Sequence, residues 1–303
     1  MSDKRIGNVI QDGTAGDVVL LGFPHDQGVK INGGRGGAAG GPERFRGYVA
    51  RIGTTQNPHE KIDLSNITIG DAGDISINLS LEKAHDQLTQ KTREILAGGA
   101  IPFVVGGGND QSFPNVSALL DHISGANVGV INIDAHLDVR PLKDGKAHSG
   151  SPFRLLLEDP RFDGKNFLEF AAQGMQCSRE HADYVSKQKG RILWLDDLPP
   201  DNIAEVFSKN LETLAQSCES IFISFDMDSI AGSFAPGVSC PGSMGLTARD
   251  AFSIAKIAGS HPAVSLFDLS EYNPLVEAEL TGRLAAGIFY FFCLEIPGIA
   301  RNI

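Results

Sequence analysis

The sequence predicts an α/β fold built on a mostly parallel sheet, and three observations carry the prediction. Short apolar runs recur along the chain, helix-length segments separate them, and no repeat, low-complexity stretch or linker interrupts the alternation. Strands alternating with helices form βαβ units, whose strands lie parallel. A chain of 303 residues with 42% hydrophobic content can bury a full core. One domain over residues 1–303 is the economical reading, since nothing demands a split.

The apolar runs that predict strands are Asp17–Phe23, Ile67–Gly70, Ile101–Val105, Val128–Asp134, Arg191–Leu195, Ile221–Asp226 and Ala263–Leu269. Helices are expected over Pro42–Arg51, Leu81–Ala97, Ser151–Glu158, Glu180–Gln188, Asn202–Ala215 and Thr247–Gly259. Pro274 suits the first turn of a last helix running to about Cys293, because proline lacks the N–H that a first helical turn leaves unpaired.

Charge and cysteine usage exclude several function classes. The formal net charge of -11 makes nucleic acid and anionic membrane surfaces poor partners and a divalent cation an easy one. No apolar run approaches the roughly 18 to 20 residues of a membrane span. The opening MSDKRIGNVIQDG has no apolar leader core, and Cys177, Cys218, Cys240 and Cys293 are scattered without a C-x-x-C pair. A reducing, cytoplasmic setting is the expectation, with no disulfide framework and no structural zinc.

The segment GVKINGGRGGAAGG, Gly28–Gly41, is the least regular part of the chain. A dinucleotide fingerprint follows its strand at once and runs straight into a helix. Here several residues intervene, so a substrate-side loop is the favoured reading. In FVVGGGNDQSFPN, Phe103–Asn115, a buried strand gives way to three glycines and a turn into a helix, and the side chain presented is the amide of Asn109.

The chemistry concentrates at strand ends. In VGVINIDAHLDVR the residues Asp134, His136 and Asp138 alternate, and alternate residues of an extended chain point the same way. A capped strand end with a solvated acidic turn gives the same triplet. The run IFISFDMD then ends in Asp226 and Asp228 with the same spacing. Carboxyl ends of strands in an open parallel sheet face one crevice, so the two motifs can meet although they lie far apart in sequence. Buried carboxylates repel one another until protons or cations move in. Oxygen donors with one imidazole suit Mn2+ better than the sulfur and histidine sets of zinc, and two ions balance four carboxylates while leaving a bridging water to activate. A single Mg2+ fits the same donors; copper, haem and iron–sulfur sites do not.

Two further side chains fall near this end of the sheet. Glu271, in SEYNP after the run Ala263–Leu269, is either structural or a partner for a cationic substrate group, since a carboxylate pairs bidentately with an amidinium or guanidinium. His148, in AHSGSPF, is either a surface histidine or a proton donor.

Taken together these motifs resemble the ureohydrolases, the arginase and agmatinase superfamily, over nearly the whole length: a G-G-G-x-[DE] turn, D-A-H-x-D, S-x-D-x-D and a late Glu in that order. The glycine-rich loop running on through PERFR, Arg140 directly after DAHLDV, and SFDMDSIAGSFAPGVSCP look like the formimidoylglutamase branch. The resemblance implies a three-layer αβα fold with a mainly parallel eight-stranded sheet and a binuclear Mn2+ site at its carboxyl end. It implies that Asp134 and Asp226 bridge the ions, that His136 and Asp228 bind the second, and that Asp138 binds the first. The family's remaining ligand to the first ion is a histidine, and Asn109 stands in its place, so the first site is expected to be weak or partly occupied.

The implied reaction is hydrolysis of N-formimidoyl-L-glutamate to L-glutamate and formamide by a hydroxide held between the metals. Asp138 would steer the hydroxide and take its proton, Glu271 would hold the amidinium, and His148 would protonate the departing nitrogen. A substrate with two carboxylates needs cationic partners: Arg140 first, then Arg35, with Arg154 third, each otherwise a surface salt bridge. The resemblance also suggests a homo-oligomer, a trimer or hexamer. Two alternatives stand beside this reading: an agmatinase- or arginase-like reaction, and a metal-depleted relative that acts as a binding or structural protein. Cys240 has no role derivable from the sequence.

Overall fold

The computed structural model describes residues 4–123 and 128–297. Its centre is a sheet of nine strands: β1 (Ile10–Asp12), β2 (Val18–Phe23), β3 (Ile69–Asp74), β4 (Ile101–Gly106), β5 (Val128–Ile133), β6 (Phe167–Ala172), β7 (Arg191–Trp194), β8 (Ser220–Asp226) and β9 (Val264–Ser270). Their spatial order is β1-β3-β2-β4-β9-β8-β5-β6-β7, and every pairing is parallel. The expected eight strands become nine.

The helices are α1 (Gln27–Asn32), α2 (Gly41–Val49), α3 (Leu81–Ala97), α4 (Ser112–His122), α5 (Pro152–Glu158), α6 (Arg179–Lys187), α7 (Ile203–Ala215), α8 (Ala248–Ser260) and α9 (Glu279–Cys293). Alternation along the strands builds two cores. Leu20, Phe103, Ile131, Ile223 and Phe267 face one side, where α2, α7, α8 and α9 cover them. Val19, Val104, Val130, Phe222 and Leu266 face the other, under α3, α4, α5 and α6. The result is three layers, helix on sheet on helix. Phe103 anchors the first core, stacked on Phe267 at 4.8 Å and edge-on to Phe289 at 4.9 Å. Truncating such a residue to alanine costs about 3–5 kcal/mol.

Several boundaries differ from the sequence expectation for identifiable reasons. Strand β6 was not expected because Glu169 interrupts its apolar run, yet Glu169 is fully buried and accepts hydrogen bonds from Asn132 Nδ2 at 3.0 and 3.1 Å. Strand β1 is short and mostly exposed, so no apolar pattern marks it. Helix α1 lies inside the glycine-rich segment and ends at Gly33, whose φ of 93° is the left-handed conformation that glycine adopts freely. The last helix starts at Glu279, not Pro274, because the Glu277 carboxylate accepts from the N–H groups of Glu279, Leu280 and Thr281 and so sets its first turn.

Candidate metal centre and substrate cavity

Four neighbouring strands in the middle of the sheet, β4, β9, β8 and β5, bring the candidate residues together. Asn109 follows β4, Glu271 follows β9, Asp226 ends β8 with Asp228 just beyond, and Asp134, His136 and Asp138 follow β5. In-register pairing of Phe225 with Ile133 and of Asp226 with Ser270 fixes these ends at one level. The chain leaves β4 for β5 across two intervening strands, the kind of crevice where ligands of open α/β sheets bind.

Local backbone chemistry aims the side chains. His136 N–H donates to Asp134 Oδ1 at 2.7 Å, and Asp228 N–H donates to Asp226 Oδ1 at 2.8 Å, so each aspartate holds the turn that follows it. Asp138 and Glu271 have φ of 45° and 65°, a conformation that costs a non-glycine residue of the order of 1–3 kcal/mol. That strain sits at two side chains facing one cavity. The three glycines before Asn109 have a packing cause: a Cβ on Gly107 would lie 1.7 Å from the His25 carbonyl oxygen.

Ligand atoms of Asp134, His136 and Asp228 lie within 4.8 Å of one another, as do those of Asp134, Asp138 and Asp226. Asp134 is shared, so the two sets form one contiguous candidate metal cluster. His136 Nδ1 is 3.2 Å from Asp228 Oδ2 and 3.4 Å from Asp134 Oδ1. Asp228 Oδ1 is buried without a hydrogen-bond partner among the described residues. An orphaned carboxylate oxygen among oxygen donors and one imidazole fits a hard or borderline divalent cation such as Mn2+.

The electrostatics agree. Burial, then the neighbouring Asp228, lifts the Asp134 carboxyl to about 6. Burial and Asp134 push Asp138 well above the carboxylate range, and burial and Asp228 do the same to Asp226 and Glu271. Asp228 alone is lowered: burial opposes its charge, but His136 outweighs burial. His136 in turn is held protonated, chiefly by Asp228. Without a cation, protons stand where cations fit.

Asn109 closes the wall beside Asp138. Its Nδ2 donates to Asp138 Oδ2 at 2.8 Å and to Asp134 Oδ2 at 3.3 Å, while Oδ1 accepts from Ser112 at 2.7 Å and Ser270 at 3.2 Å. In this arrangement the amide bridges the carboxylates and turns its oxygen, the amide atom able to ligate a cation, away from them. Its backbone N–H donates to Glu271 Oε1 at 3.0 Å.

A cavity of about 300 Å3 opens above the cluster. His136, Asp138, Asp226, Asp228 and Glu271 form its floor; Arg140, Arg35 and Cys240 are on its walls. Gly33 and Gly34 also line it, so the glycine-rich loop borders the cavity. Arg140 reaches Asn32 Oδ1 at 3.1 Å, and Asn32 Nδ2 reaches Ser149 Oγ at 3.1 Å, a polar patch of which the sequence announced only the arginine. Arg35 spends most of its guanidinium on backbone: Nε donates to the Ser239 carbonyl at 2.8 Å and Nη2 to that of Val238 at 3.0 Å.

Two expected site residues are not brought to the cavity. Arg154 pairs with Glu158 at 2.6 Å and stacks its guanidinium 3.9 Å over the Tyr184 ring, so α5 uses it as a surface clasp. His148 is buried, with Nε2 donating to the Pro141 carbonyl at 3.0 Å and Nδ1 accepting from the Gly150 N–H at 3.2 Å. That ring is neutral, and burial lowers its pKa further. Both nitrogens are engaged by backbone here, and the ring does not line the cavity. Sequence reasoning also missed Ser112 and Ser270, which hold Asn109, because isolated serines carry no spacing signal.

With this geometry in hand, known proteins place the chain. The model of the Arginase family matches residues 16–294. The chain belongs to the arginase family. Formimidoylglutamase of Clostridium tetani is 30% identical over 279 residues, covering 89% of this chain and 80% of its own. That of Geobacillus thermodenitrificans is 32% identical, covering 91% and 82%. The crystal structure of Trypanosoma cruzi formiminoglutamase with Mn2+ superimposes with a TM-score of 0.90 at 44% identity, covering 97% of this chain and 98% of that one. Fold and relatives together make the protein a hydrolase acting on an amidine carbon–nitrogen bond.

Proposed function

We propose that the protein hydrolyses N-formimidoyl-L-glutamate to L-glutamate and formamide at a binuclear Mn2+ cluster held by Asp134, His136, Asp138, Asp226 and Asp228, with Asn109 beside the first ion. The observation that carries this reading is the juxtaposition of the shared Asp134 donor sets with Glu271 and Arg140 around one cavity. Formimidoylglutamase relatives support the substrate, and the T. cruzi formiminoglutamase structure with Mn2+ supports the metal.

Bound Mn2+ lowers the pKa of water and polarises the amidine. The residues do the rest. Glu271, buried and lifted in pKa, loses its proton to solvent as the amidinium enters and holds that cation in a bidentate pair. Asp138 takes the proton of the attacking water and returns it to the glutamate nitrogen as the carbon–nitrogen bond breaks, a role that falls to it because His148 is withdrawn. Arg140, with Asn32 and Ser149 at its side, receives a substrate carboxylate. The NH2-inward amide of Asn109 offers the first ion less than an imidazole, so that ion binds more weakly than the second.

Purified protein with excess Mn2+ releases formamide, and no urea, from N-formimidoyl-L-glutamate, while L-arginine and agmatine are not turned over. Urea release from either guanidine compound in preference to formamide production would overturn the substrate assignment; no turnover of any of the three at high Mn2+ and alkaline pH would overturn the enzyme.

A further inference from the structure

Behind Asn109 lies a fully buried polar relay. Ser112 Oγ stands 2.7 Å from Asn109 Oδ1, 3.0 Å from Asp268 Oδ2 and 3.0 Å from Ser224 Oγ. Asn115 Nδ2 donates to the same Asp268 oxygen at 2.9 Å, and Thr92 in turn holds Asn115 at 3.2 Å. Asp268, Ser112, Asn115 and Ser224 have no exposed surface, and Asp268 Oδ1 has no partner among the described residues. A buried carboxylate in a sheet centre is costly unless something requires it.

A serine hydroxyl carries one proton. Ser112 therefore cannot donate to Asn109 Oδ1 and to Asp268 at the same time. If it donates to Asn109, the amide oxygen is fixed outward and the NH2 group faces Asp134 and Asp138. If it donates to Asp268, its lone pairs are free to accept from an amide NH2, and a half-turn of the carboxamide puts Oδ1 toward the cluster. Ser270, also a hydroxyl, can follow the same exchange. With no cation, an inward oxygen would face two carboxylates, so the NH2-inward state is favoured. With a cation there, the preference reverses.

We propose that Asp268 is a positioning residue for the first metal site: by drawing the Ser112 proton to itself, its carboxylate permits the Asn109 amide to turn its oxygen onto the first ion. The inference rests on the reading of Asn109 as the wall of that site. It gives the chain's amide a way to serve as a ligand, at the cost of a rotation that a histidine or a carboxylate in its place would not need.

The test is a mutant cycle read by Mn2+ affinity, measured by calorimetry and by metal content after dialysis of the whole chain. It is run at pH 8.5, above the value of about 7 to which burial lifts Asp268. Asp268→Asn is expected to weaken the first ion at least about fivefold, as the loss of a charged acceptor does, and to change the second less than twofold. Asn109→Asp supplies two equivalent oxygens and needs no rotation. In that background the same change should leave the first ion unaffected or tighten it, because Ser112 no longer serves two acceptors. Equal weakening in both backgrounds would reduce Asp268 to a distant charge and overturn the inference while leaving the site assignment intact, as would no weakening in the native background. Failure of Asn109→Asp to tighten the first ion would overturn the assignment of residue 109 and the inference with it. Should Asp268→Asn not fold, as judged by second-ion affinity and Tm, Ser112→Ala cuts the same relay and must show the same dependence on residue 109.

Discussion

The two candidate donor sets share Asp134 and one sheet but are furnished unequally. On one side His136 sits between Asp134 and Asp228, a compact set of two carboxylates and a ring nitrogen. On the other, with Asp226 nearby, Asp138 accepts from a carboxamide whose NH2 group points inward and whose oxygen is engaged by Ser112 and Ser270. The His136 set has only to give up protons to a cation; the Asn109 side must also turn its amide to present an oxygen. Strand ends fix charge and position for both, so the inequality comes from the turn after β4 and from nothing larger.

The largest expected effect breaks both halves at once. Asp134→Asn removes the shared carboxylate, and Mn2+ content should fall toward zero with more than about 100-fold loss of formamide production. Retention of two ions per chain in this variant would contradict the shared-ligand geometry. Next comes the wall that both halves serve. Arg140→Ala should raise KM about 10- to 100-fold with a smaller change in kcat, the range of a lost charge-assisted pair. A fall in kcat alone would move Arg140 from substrate recognition to the chemistry.

Acidity sharpens the comparison without mutation. Asp134, Asp138, Asp226 and Glu271 are all raised above their unfolded values, so each stabilises the metal-free fold while it keeps its proton. Those contributions are complete below about pH 4 and are lost as pH rises through the folded values. Asp228 runs the opposite way but stands alone. The Tm of metal-free protein should therefore drop, by about 4 °C or more between pH 6 and 8.5, and added Mn2+ should raise Tm more at pH 8.5 than at pH 6. A flat or rising profile for the metal-free protein would mean that the carboxyls are not buried together. The smallest effect is a control outside the cavity: Arg154→Ala should alter KM less than about twofold and cost under about 1 kcal/mol, as a half-exposed ion pair does. A tenfold rise in KM would return Arg154 to the substrate.

Much of this was legible in the sequence, and the failures have a common cause. The spacing reads Asp134, His136 and Asp138 as alternate residues of an extended chain, but β5 ends at Ile133 and a turn that includes the left-handed Asp138 brings them together, as a 3-10 turn does for Asp228 beyond Asp226. Seven strands could be read because their runs are apolar. Strand β6 could not, since the chain alone does not show that Asn132 satisfies Glu169. That His148 and Arg154 lie outside the cavity was illegible for the same reason: the contacts of a histidine with the carbonyl of Pro141 and the N–H of Gly150, and of an arginine with Glu158 and Tyr184, are set by the fold. Residue type and spacing fix the direction of a side chain. What already holds it is decided by three-dimensional neighbours.

The most direct test of the unequal halves is a Mn2+ titration of metal-free native protein beside Asn109→His, counting ions per chain at each free Mn2+ concentration. Two classes of site are expected in the native chain, the weaker filling only at about tenfold or more higher Mn2+, and they should converge in the histidine variant as the first ion gains an imidazole. Two equal sites in the native chain, or an unchanged weak site in the variant, would contradict it.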